Sequence, residues 1–152
     1  NQKIRIMKYW IFQCNLSAYE IIPATLKEWN VKNYKSEIKK GDKAIIWITG
    51  IKGGVYALAD IESDPKPMGI SEDHEQWKLD SHLGLRYKKE DKYVDKVIIR
   101  ITDRPKILIS KQKVLSTVGL QEFKAGRPGS YGTNIRSNKQ EYDIIYSLIN
   151  GL

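Results

Sequence analysis

Short segments rich in β-branched and aromatic residues, separated by turn residues, restrict this chain to folds built on a β-sheet. Lys43–Ile48 and Val55–Ile61 are two such segments on either side of the turn Gly50–Gly54. Glycine adopts the backbone conformations that tight turns require, so this arrangement predicts a β-hairpin. Lys8–Cys14 and Tyr93–Ile101 have a similar composition and predict two further strands. The sequence therefore predicts a mixed, mostly antiparallel sheet.

About three short helices are expected beside this sheet. Ser17–Glu20 has the spacing of a capping box and predicts a helix that Pro23 limits. Ser110 predicts the N-cap of a second helix, which extends to about Val118. Ser137–Gln140 is another capping box, followed by apolar residues at helical spacing and by Gly151, which suits a C-cap. The expected fold class is α+β.

The length of 152 residues suits a single domain covering residues 1–152. Asn1–Ile6 precede Met7, a candidate initiator, and are either native or an artificial addition. Cys14 is the only cysteine, so no internal disulfide can form and a reducing compartment is indicated. The apolar runs are far shorter than the roughly 20 residues that span a bilayer. We therefore expect a cytoplasmic protein that does not enter a membrane.

Charge and aromatic content both favour a nucleic-acid partner. The chain has 26 Lys and Arg against 18 Asp and Glu, a net charge of +8, which attracts polyanions and also aids solubility. Four Trp and nine Tyr supply flat faces with a polar edge, which suit stacking on a base. Trp29, between a predicted helix and a loop, Trp47, at a strand end, and Trp77, in a long polar segment, each precede basic residues. Core packing is the alternative for these side chains.

Motifs of catalysis are missing from the sequence. The phosphate-binding patterns G-x-x-x-x-G-K-[ST] and G-x-G-x-x-G do not occur. His74 and His82 lie in a polar stretch away from any obvious nucleophile, and the alternating acids of Asp60–Asp64 are typical of a solvent-facing strand. Cys14 ends an aromatic strand and is expected to be a small buried side chain. We predict no catalytic residue, no metal and no cofactor.

A series of short motifs resembles the EVE domains of the PUA-like superfamily. The matching segments are Tyr9–Asn15, Trp29-x-Val31, Tyr34-Lys35, Ile38–Asp42, Ile46–Gly50, Gly54–Ala57, Val97-x-Ile99-x-Ile101 and Gly132–Asn134. They occur in order along nearly the whole chain, which is more specific than any single motif. The resemblance implies a PUA-like curved, mostly antiparallel β-barrel flanked by short helices and related to the YTH readers of N6-methyladenine. It also implies a pocket for a flipped base.

The resemblance further implies which residues form this pocket. Trp29 and Trp47 are its walls, backbone groups near Val31 read the base edge, and Thr49 is a polar contact. The remaining base-binding residues are Asn15, from the first strand, Thr133 and Asn134, from the last loop, and Trp77, which completes the cage. The basic residues predicted to contact phosphates are Lys35, Lys52, Arg127 and Arg136.

The function implied by the resemblance is recognition of modified DNA. The base would be 5-methylcytosine, 5-hydroxymethylcytosine or N6-methyladenine, and the chain would be the targeting module of an McrB-type restriction system, with an AAA+ GTPase domain and its nuclease as partners. Such a module is expected to be part of a longer polypeptide. A reader of modified RNA is one alternative, because a sequence does not reveal whether a 2′-OH is sensed. A protein-interaction module with a vestigial pocket is the other.

Overall fold

The computed structural model describes residues 4–15, 26–69, 93–127 and 132–152. Within these ranges, eight strands form one sheet and two helices pack beside it. The strands are β1 (Tyr9–Cys14), β2 (Leu26–Asn30), β3 (Lys43–Ile48), β4 (Gly54–Ile61), β5 (Lys66–Gly69), β6 (Tyr93–Asp103), β7 (Ile109–Ser110) and β8 (Asn134–Arg136). The helices are α1 (Lys111–Leu115) and α2 (Lys139–Asn150).

The sheet has the strand order β2-β6-β4-β3-β1-β8, with β5 beside β6 and β7 beside β4. The pair β1–β3 is parallel, and the other described pairs are antiparallel. The predicted hairpin is confirmed as β3 and β4, and the predicted first strand and the strand from Tyr93 are confirmed as β1 and β6. The α+β class and the mostly antiparallel sheet are therefore confirmed.

Two strands differ from the sequence prediction. Trp29, expected between a helix and a loop, lies inside β2 and pairs with Val97 of β6. The segment after Asp64, which gave no clear strand signal, contains β5, whose Pro67 lies opposite Asp95. Proline cannot donate to a ladder, so a strand that contains it suits the edge of a sheet. The helix predicted at Ser17–Glu20 lies outside the described residues.

The helix predicted after Ser110 begins where expected, because the Ser110 hydroxyl accepts a hydrogen bond from the Lys113 N–H at 3.1 Å. It ends at Leu115 rather than near Val118. The hydroxyls of Ser116 and Thr117 both donate to the Lys113 carbonyl, which diverts that acceptor from the helical pattern. The shorter helix thus has a local cause.

The terminal helix α2 begins one residue later than predicted. Asn138, rather than Ser137, is the N-cap, and its side-chain oxygen accepts from the Glu141 N–H at 2.9 Å. The Ser137 hydroxyl instead donates to the Glu141 carboxylate at 2.8 Å. Gly151 ends the helix with φ of 70°, as the predicted C-cap. No helix within the described ranges is long and apolar enough to cross a membrane.

Two hydrophobic clusters cover opposite faces of the sheet. Side chains alternate along a strand, so Trp10 and Phe12 of β1 enter one cluster and Ile11 enters the other. The first, here called the inner cluster, takes side chains from β1, β2, β3, β4 and β6 and fills the concave side of the curled sheet. The outer cluster packs the convex side against Val114 of α1 and Ile145 of α2.

Asn134 joins the two ends of the strand order. Its side-chain Nδ2 donates to the Asn30 carbonyl of β2 at 3.1 Å, and its Oδ1 accepts from the backbone N–H groups of Lys32 and Asn33 at 2.9 and 3.1 Å. Asn134 itself belongs to β8, at the opposite edge of the sheet from β2. One side chain therefore links the two edges of the curled sheet and closes it into a half-barrel.

Candidate nucleic-acid interface

The strands β1 and β3 end side by side because they are parallel and in register, with Cys14 opposite Ile48. The Thr49 N–H donates to the Cys14 carbonyl at 2.8 Å, and the Thr49 hydroxyl donates to the same oxygen at 3.2 Å. The Gln13 N–H donates to the Thr133 carbonyl at 2.8 Å. Three predicted base-binding residues, Asn15, Thr49 and Thr133, therefore lie at one end of the half-barrel, here called the β1–β3 edge.

Trp29 and Val31 are held near this edge from the concave side. The Trp29 ring stacks on Phe12 with ring centroids 6.1 Å apart and an interplanar angle of 19°. Phe12 in turn pairs with Asn134 across β1 and β8. Both Trp29 and Val31 belong to the inner cluster, and Trp29 is only 5% exposed. Trp29, the predicted pocket wall, is therefore part of the barrel core, close to the β1–β3 edge.

Trp47 lies on the other side of the sheet. It belongs to the outer cluster, is 1% exposed, and packs on Phe123 with ring centroids 5.5 Å apart. Trp29 and Trp47 consequently do not face each other across a single pocket. The third predicted tryptophan, Trp77, and the histidines His74 and His82 lie outside the described residues.

A cleft of about 400 Å³ opens at the β1–β3 edge on the convex side. Its lining consists of Gln13, Trp47, Thr49, Gly50, Ile51, Lys111, Gly126 and Arg127. Gly126 has φ of 77°, and a Cβ there would lie 2.8 Å from Cζ2 of Trp47, so the loop approaches the indole closely only because it has glycine at this point. The Arg127 guanidinium donates to the carbonyls of Phe123 and Gln121 at 2.7 and 2.6 Å.

The cations of this cleft have no acidic partner among the described residues. Lys111 and Arg127 line the cleft, and Lys52 follows Ile51 of its rim; no ion pair within the described ranges involves any of the three. The other two predicted phosphate contacts differ. Lys35 pairs with Asp95 at 2.9 Å, and Arg136 donates to both carboxylate oxygens of Glu37.

The Gly132–Asn134 motif has a structural role. Asn134 is 2% exposed, and both polar atoms of its side chain are engaged in closing the half-barrel. Asn33 reciprocates, because its Oδ1 accepts from the Thr133 N–H at 3.2 Å. Gly132 has φ of 103°, and a Cβ there would lie 2.8 Å from that same oxygen. Glycine and asparagine are therefore needed at these two positions to close the half-barrel.

Asn30 is a polar residue at this end that the sequence did not single out. Its side-chain oxygen is buried, and no hydrogen-bond donor reaches it in the described part of the chain. An unsatisfied buried acceptor costs about 1–3 kcal/mol, so such a group calls for an explanation. It lies between Trp29 and Val31, next to the closure by Asn134. No periodicity or motif marks an unpaired atom, so sequence reasoning had no signal for it.

The opposite end of β1 and β3 is organised around Asp42, which is fully buried. Its carboxylate accepts from the Arg5 guanidinium at 2.5 and 2.9 Å, from the Trp10 indole at 2.9 Å, and from the backbone N–H groups of Lys8 and Lys39. Burial by itself raises the pKa of Asp42, but the bonds from Arg5 and Trp10 outweigh it and hold the pKa below its ordinary value. We call this region the Asp42 end.

Arg136 belongs to the Asp42 end rather than to the cleft. It pairs with Trp10 across β8 and β1, and its guanidinium lies over the ring of Tyr34, 4.4 Å from the centroid. Its hydrogen bond to Glu37 lowers the pKa of that carboxyl. An ion pair, a cation–π contact and its place in β8 therefore hold Arg136 at the Asp42 end.

Groups able to do chemistry are scarce in the described residues. Burial raises the pKa of the Cys14 thiol to about 12, so the neutral, weakly nucleophilic form dominates at neutral pH. No group of three or more His, Cys, Asp or Glu side chains suited to holding a metal ion occurs in the described ranges. The described part of this edge offers hydrogen-bonding groups and positive charge.

Comparison with known families agrees with this architecture. The family model described as EVE domain matches residues 8–148. The chain belongs to the EVE domain family. No curated protein sequence matches it.

Solved structures share the EVE fold at low sequence identity. A hypothetical protein from Leishmania major superposes with a TM-score of 0.66 at 16% identity, covering 96% of each chain. A Pseudomonas syringae protein gives a TM-score of 0.65 at 15% identity, covering 92% of this chain and 98% of that one. Human THYN1 protein, in a crystal structure with 5-methylcytosine containing DNA, gives 0.60 at 17% identity, covering 93% and 96%. These likenesses establish the fold.

Proposed function

We propose that this EVE domain binds DNA at the β1–β3 edge and reads a modified base there. The observation that carries the proposal is the set of three cations around the cleft, Lys52, Lys111 and Arg127, which have no carboxylate partner among the described residues. Unpaired cations attract phosphates without first breaking an ion pair. Phosphate contacts position a duplex, and neighbouring polar groups can then read a base.

The choice of DNA and of a cytosine modification is supported by a structural neighbour. Human THYN1 protein has been crystallised with 5-methylcytosine containing DNA, and its fold covers 93% of this chain. We take 5-methylcytosine as the first candidate base and keep 5-hydroxymethylcytosine and N6-methyladenine beside it. At 17% identity the neighbour supports the class of ligand rather than particular contacts.

Base recognition in this proposal uses the concave side of the edge. A flipped base would extend the stack that Phe12 and Trp29 already form. Polar groups at the strand ends would accept a hydrogen bond from an exocyclic amino group, which cytosine and adenine both carry. Extruding a base costs a few kcal/mol, and stacking worth about 1–3 kcal/mol together with the new hydrogen bond would offset that cost.

A binding module needs a separate enzyme if the DNA that it binds is to be cut. We propose that this chain targets an AAA+ GTPase domain and its nuclease to modified DNA, as in an McrB-type restriction system. The purified chain with Mg²⁺ should then bind a methylated plasmid and leave it intact, as gel electrophoresis would reveal. Nicking by the chain alone would contradict its role as a reader.

The decisive experiment compares duplexes that differ in one base. Fluorescence anisotropy at fixed salt would measure affinity for otherwise identical duplexes with cytosine, 5-methylcytosine, 5-hydroxymethylcytosine, adenine or N6-methyladenine at the central position. We expect one modified duplex to bind at least about tenfold more tightly than its unmodified partner, a difference of about 1.4 kcal/mol. Equal affinities would refute base reading. Tighter binding of a modified RNA of the same sequence would replace DNA by RNA as the ligand.

A further inference from the structure

The turn between β3 and β4 carries an isoleucine that packs on nothing. Ile51 is 99% exposed at the tip of this hairpin, beside the cleft at the β1–β3 edge. Turn positions usually hold Gly, Pro, Asn, Asp or Ser, each for a conformational reason that does not apply to a β-branched apolar residue. Neither core packing nor turn formation therefore accounts for an isoleucine at this position.

The backbone beneath Ile51 is fixed from several sides. The Gly53 N–H donates to the Gly50 carbonyl at 3.0 Å and closes the turn. A Cβ on Gly53 would overlap the Ile48 carbonyl, and one on Gly54 would overlap the Ile109 carbonyl, so both glycines lie against neighbouring backbone. The Lys111 N–H donates to the Gly53 carbonyl at 3.2 Å and ties the turn to α1. Ile51 is consequently held out on a short, well-supported loop.

The groups beside Ile51 suit the phosphates of a duplex. Lys52 is the next residue in the turn, and Lys111 and Arg127 line the cleft with Ile51. Apolar side chains on such supports enter the base stack of DNA in several classes of protein, where they partly unstack a base step. A base that leaves the duplex also leaves a gap, and an apolar group of suitable size can fill it.

We propose that Ile51 is a wedge that enters the duplex beside the target base and favours its extrusion. This inference rests on the proposed function, since it assumes that the chain binds duplex DNA at the β1–β3 edge. It adds a residue outside the predicted base-binding set, and it assigns base reading and base displacement to different strand ends. The wedge acts on the stack from the hairpin tip, while Trp29 receives the base.

The test uses Ile51→Ala and a matched control, Ile6→Ala. Ile6 is also highly exposed, at 83%, but it follows Arg5 at the Asp42 end, beyond the far end of β1 and β3. Both changes remove the same atoms from an exposed site, so thermal unfolding should be unchanged in each. Each variant is measured on three DNAs: a duplex with the modified base, the same duplex with an abasic site opposite that base, and the modified single strand.

A wedge is needed only where a paired base must be displaced. Ile51→Ala should weaken binding to the intact duplex about tenfold and to the abasic duplex less, and it should leave the single strand within about twofold. A 2-aminopurine beside the modified base should brighten on binding of the wild-type chain and much less with Ile51→Ala. Ile6→Ala should match the wild type on every DNA.

The outcomes separate the wedge from the proposed function. A wild-type chain that prefers modified duplex, together with an Ile51→Ala variant that equals it in affinity and in 2-aminopurine signal, overturns the wedge alone. An equal loss on duplex and single strand also overturns the wedge, because it indicates a simple apolar contact. A wild-type chain that binds no duplex overturns both.

Discussion

The two ends of the β1–β3 pair differ in whether their polar groups have partners within the protein. At the Asp42 end a buried carboxylate has five hydrogen bonds, and Arg136 is engaged by Glu37 and by two aromatic rings. At the β1–β3 edge, three cations lack acidic partners among the described residues, and the side-chain oxygen of Asn30 is unpaired. The Asp42 end contributes stability, while the β1–β3 edge keeps positive charges and an acceptor oxygen without an acidic or donor partner in the described part of the chain. This division is expected where one end of a fold serves a ligand.

The largest expected effect comes from breaking the Asp42 end. Asp42→Ala leaves the Arg5 charge and the Trp10 indole without their acceptor, so the free energy of unfolding should fall by about 3–5 kcal/mol in urea titrations. The control Asp143→Ala removes an exposed helical ion pair with Lys139 and should cost no more than about 0.5 kcal/mol. Equal costs would mean that the Asp42 end is not a special source of stability.

Acidification should act through the same carboxylate. The pKa of Asp42 is lowered in the folded protein, so its contribution to stability is complete above its unfolded pKa, about 4, and is lost as pH falls through the lower folded value. Burial raises the pKa of Glu141, so protonation of that residue favours the folded state. Asp42→Asn should therefore flatten the acid limb of the stability profile followed by circular dichroism. An unchanged acid limb would count against Asp42 as its main source.

The β1–β3 edge also contains one strongly stabilising feature, the closure of the half-barrel by Asn134. Asn134→Ala removes the acceptor of the Lys32 and Asn33 N–H groups and the donor to Asn30, so unfolding free energy should fall by about 3 kcal/mol. Asn150→Ala, at an exposed asparagine of α2, is the control and should change stability by less than about 0.5 kcal/mol. Similar values for both variants would argue against closure of the half-barrel by this side chain.

The next effect concerns binding rather than folding. Replacing Lys52, Lys111 and Arg127 together with glutamine should weaken DNA binding about 10- to 100-fold, on the order of 2 kcal/mol. The slope of log affinity against log salt concentration should become shallower by about 3, one counterion for each lost phosphate contact. Thermal stability should fall modestly. Lys52 and Lys111 have no acidic partner in the described residues to lose, but Arg127 also loses its hydrogen bonds to the carbonyls of Phe123 and Gln121.

A triple variant of equal charge change is the control for that experiment. Lys43, Arg100 and Lys139 each form an ion pair, with Asp60, Glu62 and Asp143 respectively. Replacing these three cations with glutamine removes the same net charge, yet it should alter the salt slope far less. If the two triple variants lose equal affinity, net charge rather than the cleft drives binding.

The smallest expected effect is at Asn30. Asn30→Val removes an unpaired buried oxygen and adds a side chain that suits a strand, so the free energy of unfolding should stay the same or rise by up to about 1 kcal/mol. Affinity for modified and unmodified duplex should stay constant, because Asn30 projects from the opposite face of β2 to Trp29. A variant that is less stable would indicate a structural role instead.

The sequence was informative where the relevant interactions are local. The β3–β4 hairpin, the cap at Ser110 and the glycine at the end of α2 depend on residues close in the chain, and all three predictions are confirmed. Trp29 was misplaced because its strand pairs with β6, far along the chain, and local patterns carry little information about such partners. Choosing between two adjacent capping residues, Ser137 and Asn138, also exceeded what the motif specifies.

The candidate site shows the same limit. Motifs directed Asn15, Thr49 and Thr133 to one edge, where the structure brings them together. The side of the sheet on which Trp47 lies could not be predicted, because β3 is apolar on both faces and gives no alternating pattern. Whether a cation forms an ion pair depends on acidic residues far away in the sequence. Lys35 pairs with Asp95, for example, and only the three-dimensional structure reveals such a partner.

The position of β1 between β3 and β8 gives the domain an order of completion. Synthesis produces β1 first and β8 nearly last, so a growing chain can form the β3–β4 hairpin long before Asn134 exists to join the sheet edges. Until then Thr133 is also missing from the β1–β3 edge, and the Gln13 N–H lacks its acceptor. A partly synthesised or C-terminally clipped chain therefore has strands but no finished edge, which would confine the proposed DNA binding to domains that have been made in full.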